Sequence, residues 1–195
     1  MARRSVTVAA MLLAVLVLAA CGKDIARPVQ PGETVTPYEG PLYIDPKDAA
    51  NATERETGAA GRAVQCETRV VGDFRPGRYE GGETGRTPEA GLRTGLDEGA
   101  FSGPDDGYLL ERREGDRALF TIRVDGKVKM AVVLLDGPAL GTWSGWHMES
   151  WARCNQSEFP EPVTNGVGLE IWTDDAGNRV PTYRVVSSQG PEHCS

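Results

Sequence analysis

From Tyr108 onward, apolar and polar positions alternate with a period of two, the spacing of strands with one buried face. Ala118, Phe120, Ile122 and Val124 share one side, and Thr121 and Arg123 share the other. Val128, Met130, Val132 and Leu134 repeat the pattern opposite Lys129. Asp125-Gly126 separates the two runs, and such a pair favours a tight hairpin because both central positions take positive φ. Tyr108–Arg113 precedes them across Glu114-Gly115-Asp116, and Trp146–Cys154 follows a turn at Gly137-Pro138. A second hairpin is predicted from Val167–Thr173 and Arg179–Ser187, and Asn155–Gly166 reads as a loop.

Ahead of these strands the period changes. Thr87-Pro88-Glu89 has the order of a helix start: a capping hydroxyl, Pro at the first helical position, and an acid at the positive end. Ala90, Leu92, Leu96, Ala100 and Phe101 give the helix one apolar face. Gly91, Gly95 and Gly99 weaken it by about 1 kcal/mol each but allow close packing on a sheet. Asp45-Pro46 opens a shorter helix over Lys47–Ala60, ended by Gly61; Ala63–Val71 then reads as a strand holding Cys66, and Gly72–Gly85 as a surface loop. The predicted class is α+β, an antiparallel meander of about four to six strands with one main helix packed on a face.

The first residues follow a different logic. Arg3 and Arg4 precede an uncharged apolar run, Val6–Leu18, too short to span a bilayer comfortably, and Leu18-Ala19-Ala20-Cys21-Gly22 follows. That order resembles the lipobox of bacterial lipoproteins. The resemblance implies a signal peptide over 1–20 and a thioether-linked diacylglyceryl group, with palmitate-type chains, on Cys21. Two acyl chains suffice for stable anchoring, at about 0.8 kcal/mol per buried CH₂. Pro28, Pro31, Pro37 and Pro41 make 21–45 read as a disordered, lipidated tether, with Leu42-Tyr43-Ile44 docking on the domain that spans 46–195.

Charge narrows the partners. The chain has 21 Lys and Arg against 28 Asp and Glu, and loss of Arg3 and Arg4 with the signal leaves 19 against 28, a net charge of −9. Nucleic acid is disfavoured as a partner, because it requires clustered basic residues. The remaining cysteines are Cys66, Cys154 and Cys194. An exported setting predicts one disulfide and one leftover thiol. If the second hairpin continues the antiparallel order, Cys154 and Cys194 meet at one end of the sheet; both alternative pairings use Cys66.

Catalytic signals are sparse. His147 and His193 are the only histidines, and no CxxC or HxxxH spacing supports a metal site. Gly141-Thr-Trp-Ser144-Gly145 places its serine one position late for a nucleophile elbow. The acid pairs Asp105-Asp106 and Asp174-Asp175 sit beside glycines, where acids solvate turns. Neither a cofactor nor a catalytic residue is assigned. Trp146 and Trp151 have opposite parity on one strand, so one is expected in the core and the other on a partner or ligand surface.

The strings Glu149-Ser-Trp-Ala-Arg-Cys154, Glu170-Ile-Trp-Thr-Asp174 and Gly190-Pro-Glu-His-Cys194 resemble a group of uncharacterised actinobacterial lipoproteins. The resemblance implies location and adds no chemistry. The expectation is therefore a non-enzymatic binding module, lipid-anchored on the extracytoplasmic face of the cell membrane, with an envelope protein or ligand as partner. A cell-envelope hydrolase is the alternative.

Overall fold

The alternating stretch 108–153 forms the centre of a six-stranded sheet in the computed structural model, which describes residues 26–28, 36–77, 83–139 and 144–185. The strands are β1 (Ala26–Pro28), β2 (Val71–Phe74), β3 (Tyr108–Glu114), β4 (Arg117–Val124), β5 (Lys127–Pro138) and β6 (Ser144–Arg153). Their spatial order is β1-β3-β4-β5-β6-β2. β2 to β6 pair antiparallel, and the short β1 joins parallel to β3. Asp125 and Gly126 turn the chain between β4 and β5 with φ of 51° and 76°, the two positive values that a tight hairpin needs.

Both faces of this sheet are covered. Helix α2 (Pro88–Asp97) starts as its sequence predicts, with Thr87 Oγ1 accepting from Ala90 N at 3.2 Å and Pro88 at the first position. It lies on the face carrying Phe120, Ile122, Met130, Val132, Leu134, Trp146, Met148 and Trp151. A Cβ on Gly91 would stand 2.6 Å from the Trp146 carbonyl oxygen, so the absent side chain lets the helix approach β6.

The opposite face is closed by helix α1 (Ala52–Ala63) and the preceding segment. Ala59, Ala60, Ala63, Leu42 and Ile44 meet Leu119, Val128, Ala131, Val133 and Ala152 there. Two-sided cover explains why β5 is buried continuously from Val128 to Leu135. The antiparallel sheet with a main helix on one face is as the sequence predicts, and the shorter first helix supplies the second cover. Leu42 and Ile44 dock as expected, and Tyr38 N donates to Glu111 Oε1 at 2.6 Å, so the end of the Pro-rich segment is part of the fold.

Local capping moves α1 later than the predicted Lys47–Ala60. Asp45 supports only a turn, accepting from Lys47 N at 2.9 Å. Asn51 Oδ1 accepts from Glu54 N at 2.9 Å while Glu54 Oε2 accepts from Ala50 N at 3.0 Å, a reciprocal arrangement that fixes the start. The helix changes direction at Gly58 and reaches Ala63. Residues 64–70 therefore do not form the predicted strand; Gln65 N bonds Val128 O at 2.7 Å, and ladder pairing begins at Val71.

The predicted second hairpin is also replaced. Among the described residues, its two arms meet in one isolated bridge, Thr173 to Arg179. The reason is competition: β2 already occupies the edge of β6 where that hairpin would pair. Asn155–Gly166, read as a loop, instead holds a short 3-10 turn (Gln156–Glu158) and helix α3 (Glu161–Gly166). Without the hairpin, the basis for a Cys154–Cys194 bond is lost. Cys154 is bonded to Cys66, with Cα atoms 5.2 Å apart across 88 positions of sequence. Cys194 and Cys21 lie outside the described residues.

Candidate functional site

Three residues of the central sheet are extra in their ladders, and each carries a formal charge. Glu111 is skipped between the pairs Leu110–Phe120 and Arg112–Leu119. Lys129 is skipped between Ile122–Met130 and Arg123–Val128, and Glu149 between Val133–Ser150 and Leu134–Met148. A β-bulge of this kind re-aims the side chains beyond it. Each charge is withdrawn from water and met by an opposite one.

The Glu111 side chain is fully buried and accepts from Arg123 Nη2, Thr121 Oγ1 and Tyr38 N, all at 2.6 Å. Glu149, equally sequestered, takes Nε and Nη2 of Arg117 on its two oxygens at 2.8 and 2.7 Å. Arg117 also stacks over the Tyr43 ring at 4.8 Å. Lys129 Nζ donates to Glu158 at 2.6 Å and to Gln65 O at 3.0 Å. Burial alone would raise the Glu158 carboxyl. The bonds from Lys129, the Thr68 hydroxyl and the amides of Glu67 and Thr68 outweigh it and hold the group below its ordinary range.

Cys66, Cys154 and Glu158 bring potential metal-ligand atoms within 4.8 Å of one another. Both thiols are consumed in the disulfide, which leaves Glu158 alone, and it is occupied by Lys129. The arrangement therefore pins the chain: segment 64–68, the Lys129 bulge and the end of β6 are tied together by one covalent bond and one ion pair.

The bulges also relocate the tryptophans. Trp146 and Trp151 are five residues apart, an odd spacing that would oppose them on a regular strand. The extra residue at Glu149 restores their parity, and both enter the α2-side core at 3 % and 9 % exposure. Arg113 covers the Trp146 ring at 4.9 Å, and Phe101 packs on Trp151 at 6.3 Å. Neither tryptophan marks a partner surface. The same effect at Lys129 sends Val128 to the α1 side, away from Met130, Val132 and Leu134.

Among the described residues the exposed tryptophan is Trp172, at 66 %. Of the six large apolar side chains left exposed among the described residues, four lie between 167 and 183: Val167, Leu169, Trp172 and Tyr183. This stretch is held chiefly by turn and side-chain bonds rather than by a strand ladder. Asp174 accepts from Ala176 N and Asn178 N across its turn, Asn155 bridges to Thr182, and Val180 N bonds Trp172 O. The Asn178 bonds are the main cause of an Asp174 carboxyl below its ordinary range.

His147 is buried, with Nδ1 2.9 Å from Gly145 O, and burial lowers its pKa. It pairs with Leu135 between Trp146 and Met148, and it is not among the residues lining the recesses beside Arg153, Lys129 and Tyr38. His193 lies outside the described residues.

Comparison with known proteins returns no matching family model, no matching curated protein and no matching solved structure.

Proposed function

We propose that the chain is an extracytoplasmic lipoprotein, anchored in the cell membrane through acylated Cys21, that acts as a non-enzymatic binding module. The observation that carries the binding half is the apolar surface of 167–183, with Trp172 two-thirds exposed on irregular backbone. Apolar and aromatic side chains grouped in this way suit a partner surface. The disulfide between Cys66 and Cys154 supports an oxidising compartment, as export through the leader of 1–20 requires. An envelope protein or ligand is the partner this reading implies.

Two measurements on the full chain in cells test the two halves. Replacing Cys21 by Ser releases the protein from the membrane fraction; continued membrane retention of the unlipidated variant refutes the anchor. A photoreactive amino acid at Trp172 captures one defined envelope component, whereas the same probe at exposed Glu114 does not. Equal labelling from both positions removes the case for a binding surface at 167–183.

A further inference from the structure

Beside that surface, Phe159, Val163, Val167 and Leu169 join residues 102–104 around a cavity of about 250 Å³. Arg153, the last residue of β6, is the only charged residue in the lining. Its Nη1 has one weak contact, the Cys154 carbonyl at 3.4 Å. Among the described residues no carboxylate pairs with it. Four other cations of the fold, Arg62, Arg117, Arg123 and Lys129, each hold a carboxylate at 2.6–2.7 Å. Thr164 adds no free donor, since its Oγ1 donates to Glu161 O and accepts from Arg179.

We propose that this cavity binds a short aliphatic monocarboxylate, its carboxylate on the Arg153 guanidinium and its chain against Phe159, Val163 and Leu169. A half-buried cation without a counter-ion is unfavourable, and an anionic ligand relieves it. The planar guanidinium matches a carboxylate through two parallel N–H···O bonds. Apolar walls exclude water and strengthen that contact. A doubly charged phosphate would require further cationic donors, and the lining offers none. The volume lies below the ~300–1,000 Å³ of pockets for drug-sized ligands, which limits the occupant to a small one.

The inference goes beyond the proposed function and requires neither the lipid anchor nor a protein partner. Isothermal titration of the purified full-length chain with sodium octanoate tests it, with acetate and 1-octanol as probes lacking the tail or the charge. The expected result is saturable octanoate binding, about tenfold or more tighter than either control. Arg153→Gln weakens octanoate by a similar factor and leaves octanol unchanged. Val167→Trp, at an exposed position on the cavity wall, abolishes octanoate binding with Arg153 intact, and it decides the matter if Arg153→Gln does not fold. Absence of saturable octanoate binding, octanol binding as tightly as octanoate, or octanoate binding unaltered by either variant overturns the proposal.

Discussion

The bulged sheet β3–β6 and the stretch from Asn155 to Val185 treat charge and apolar surface in opposite ways. In the sheet every bulge places a charged side chain out of water, and each is met by its opposite at hydrogen-bond distance. Along the C-terminal stretch apolar groups face solvent, and they wall a cavity whose one charged lining residue, Arg153 at the end of β6, meets no carboxylate among the described residues. One region spends its interactions on holding a register. Beyond Glu158, the other leaves apolar groups bare, as a surface available to ligands does.

Four substitutions break or sharpen this contrast, in falling order of effect. Removing the disulfide by replacing both Cys66 and Cys154 with Ala lowers stability by about 4–5 kcal/mol in the chain-entropy description of an 88-residue separation. Urea unfolding with and without reductant checks it; a wild-type midpoint insensitive to reductant contradicts it. Glu111→Ala strands Arg123 in a buried site and costs about 3–5 kcal/mol. The double change of Glu111 and Arg123 to Met recovers most of that loss, and equal losses in the single and double variants would show that the pair itself matters little.

Third, His147 gives the sheet a pH dependence. Its folded pKa is lowered, so the unfolded chain holds a proton that the folded chain lacks once the pH falls through the ordinary value near 6.5. Stability therefore falls toward acid, by at most about 1.4 kcal/mol per pH unit from this one group. His147→Gln flattens the unfolding midpoint between pH 7.5 and 5.5. Loss from Glu158, whose carboxyl is depressed, begins lower, near the ordinary carboxylate range of ~4.3, and remains in that variant. Smallest of all, Trp172→Ala changes stability by less than about 0.5 kcal/mol, because the side chain is two-thirds exposed. A larger cost by thermal unfolding would make Trp172 a packing residue after all.

What could be read from the chain divides along the same line. The alternation at 118–124, the Asp125-Gly126 turn and the Thr87-Pro88 cap are local signals, and the structure keeps all three. The bulges are not local. A skipped residue exists only relative to a partner strand, so Trp146 and Trp151 read as opposed until the pairing of β6 with β5 is known. A trace is visible at two of the three: Lys129 interrupts the apolar run Val128–Leu135 and Glu149 stands between Met148 and Trp151, whereas Glu111 merely opens the charged run Glu111–Glu114. The cysteine pairing is equally non-local, since it depends on which segment takes the edge of β6. That place went to four residues of β2, which precede the sheet by more than thirty positions.

Lys129 also has a consequence before folding is complete. Val128 to Leu135 is strongly β-prone and apolar, the composition that drives chains to stack edge to edge into insoluble aggregates. Lys127, Lys129 and Asp136 bracket and interrupt that segment with charge, which is how aggregation-prone strands are kept apart while still exposed. A purely apolar residue at 129 would suit the finished core and endanger the nascent chain. The bulge lets one lysine serve both conditions: it guards the strand while it is bare, and the fold absorbs it through Glu158 once the sheet has closed.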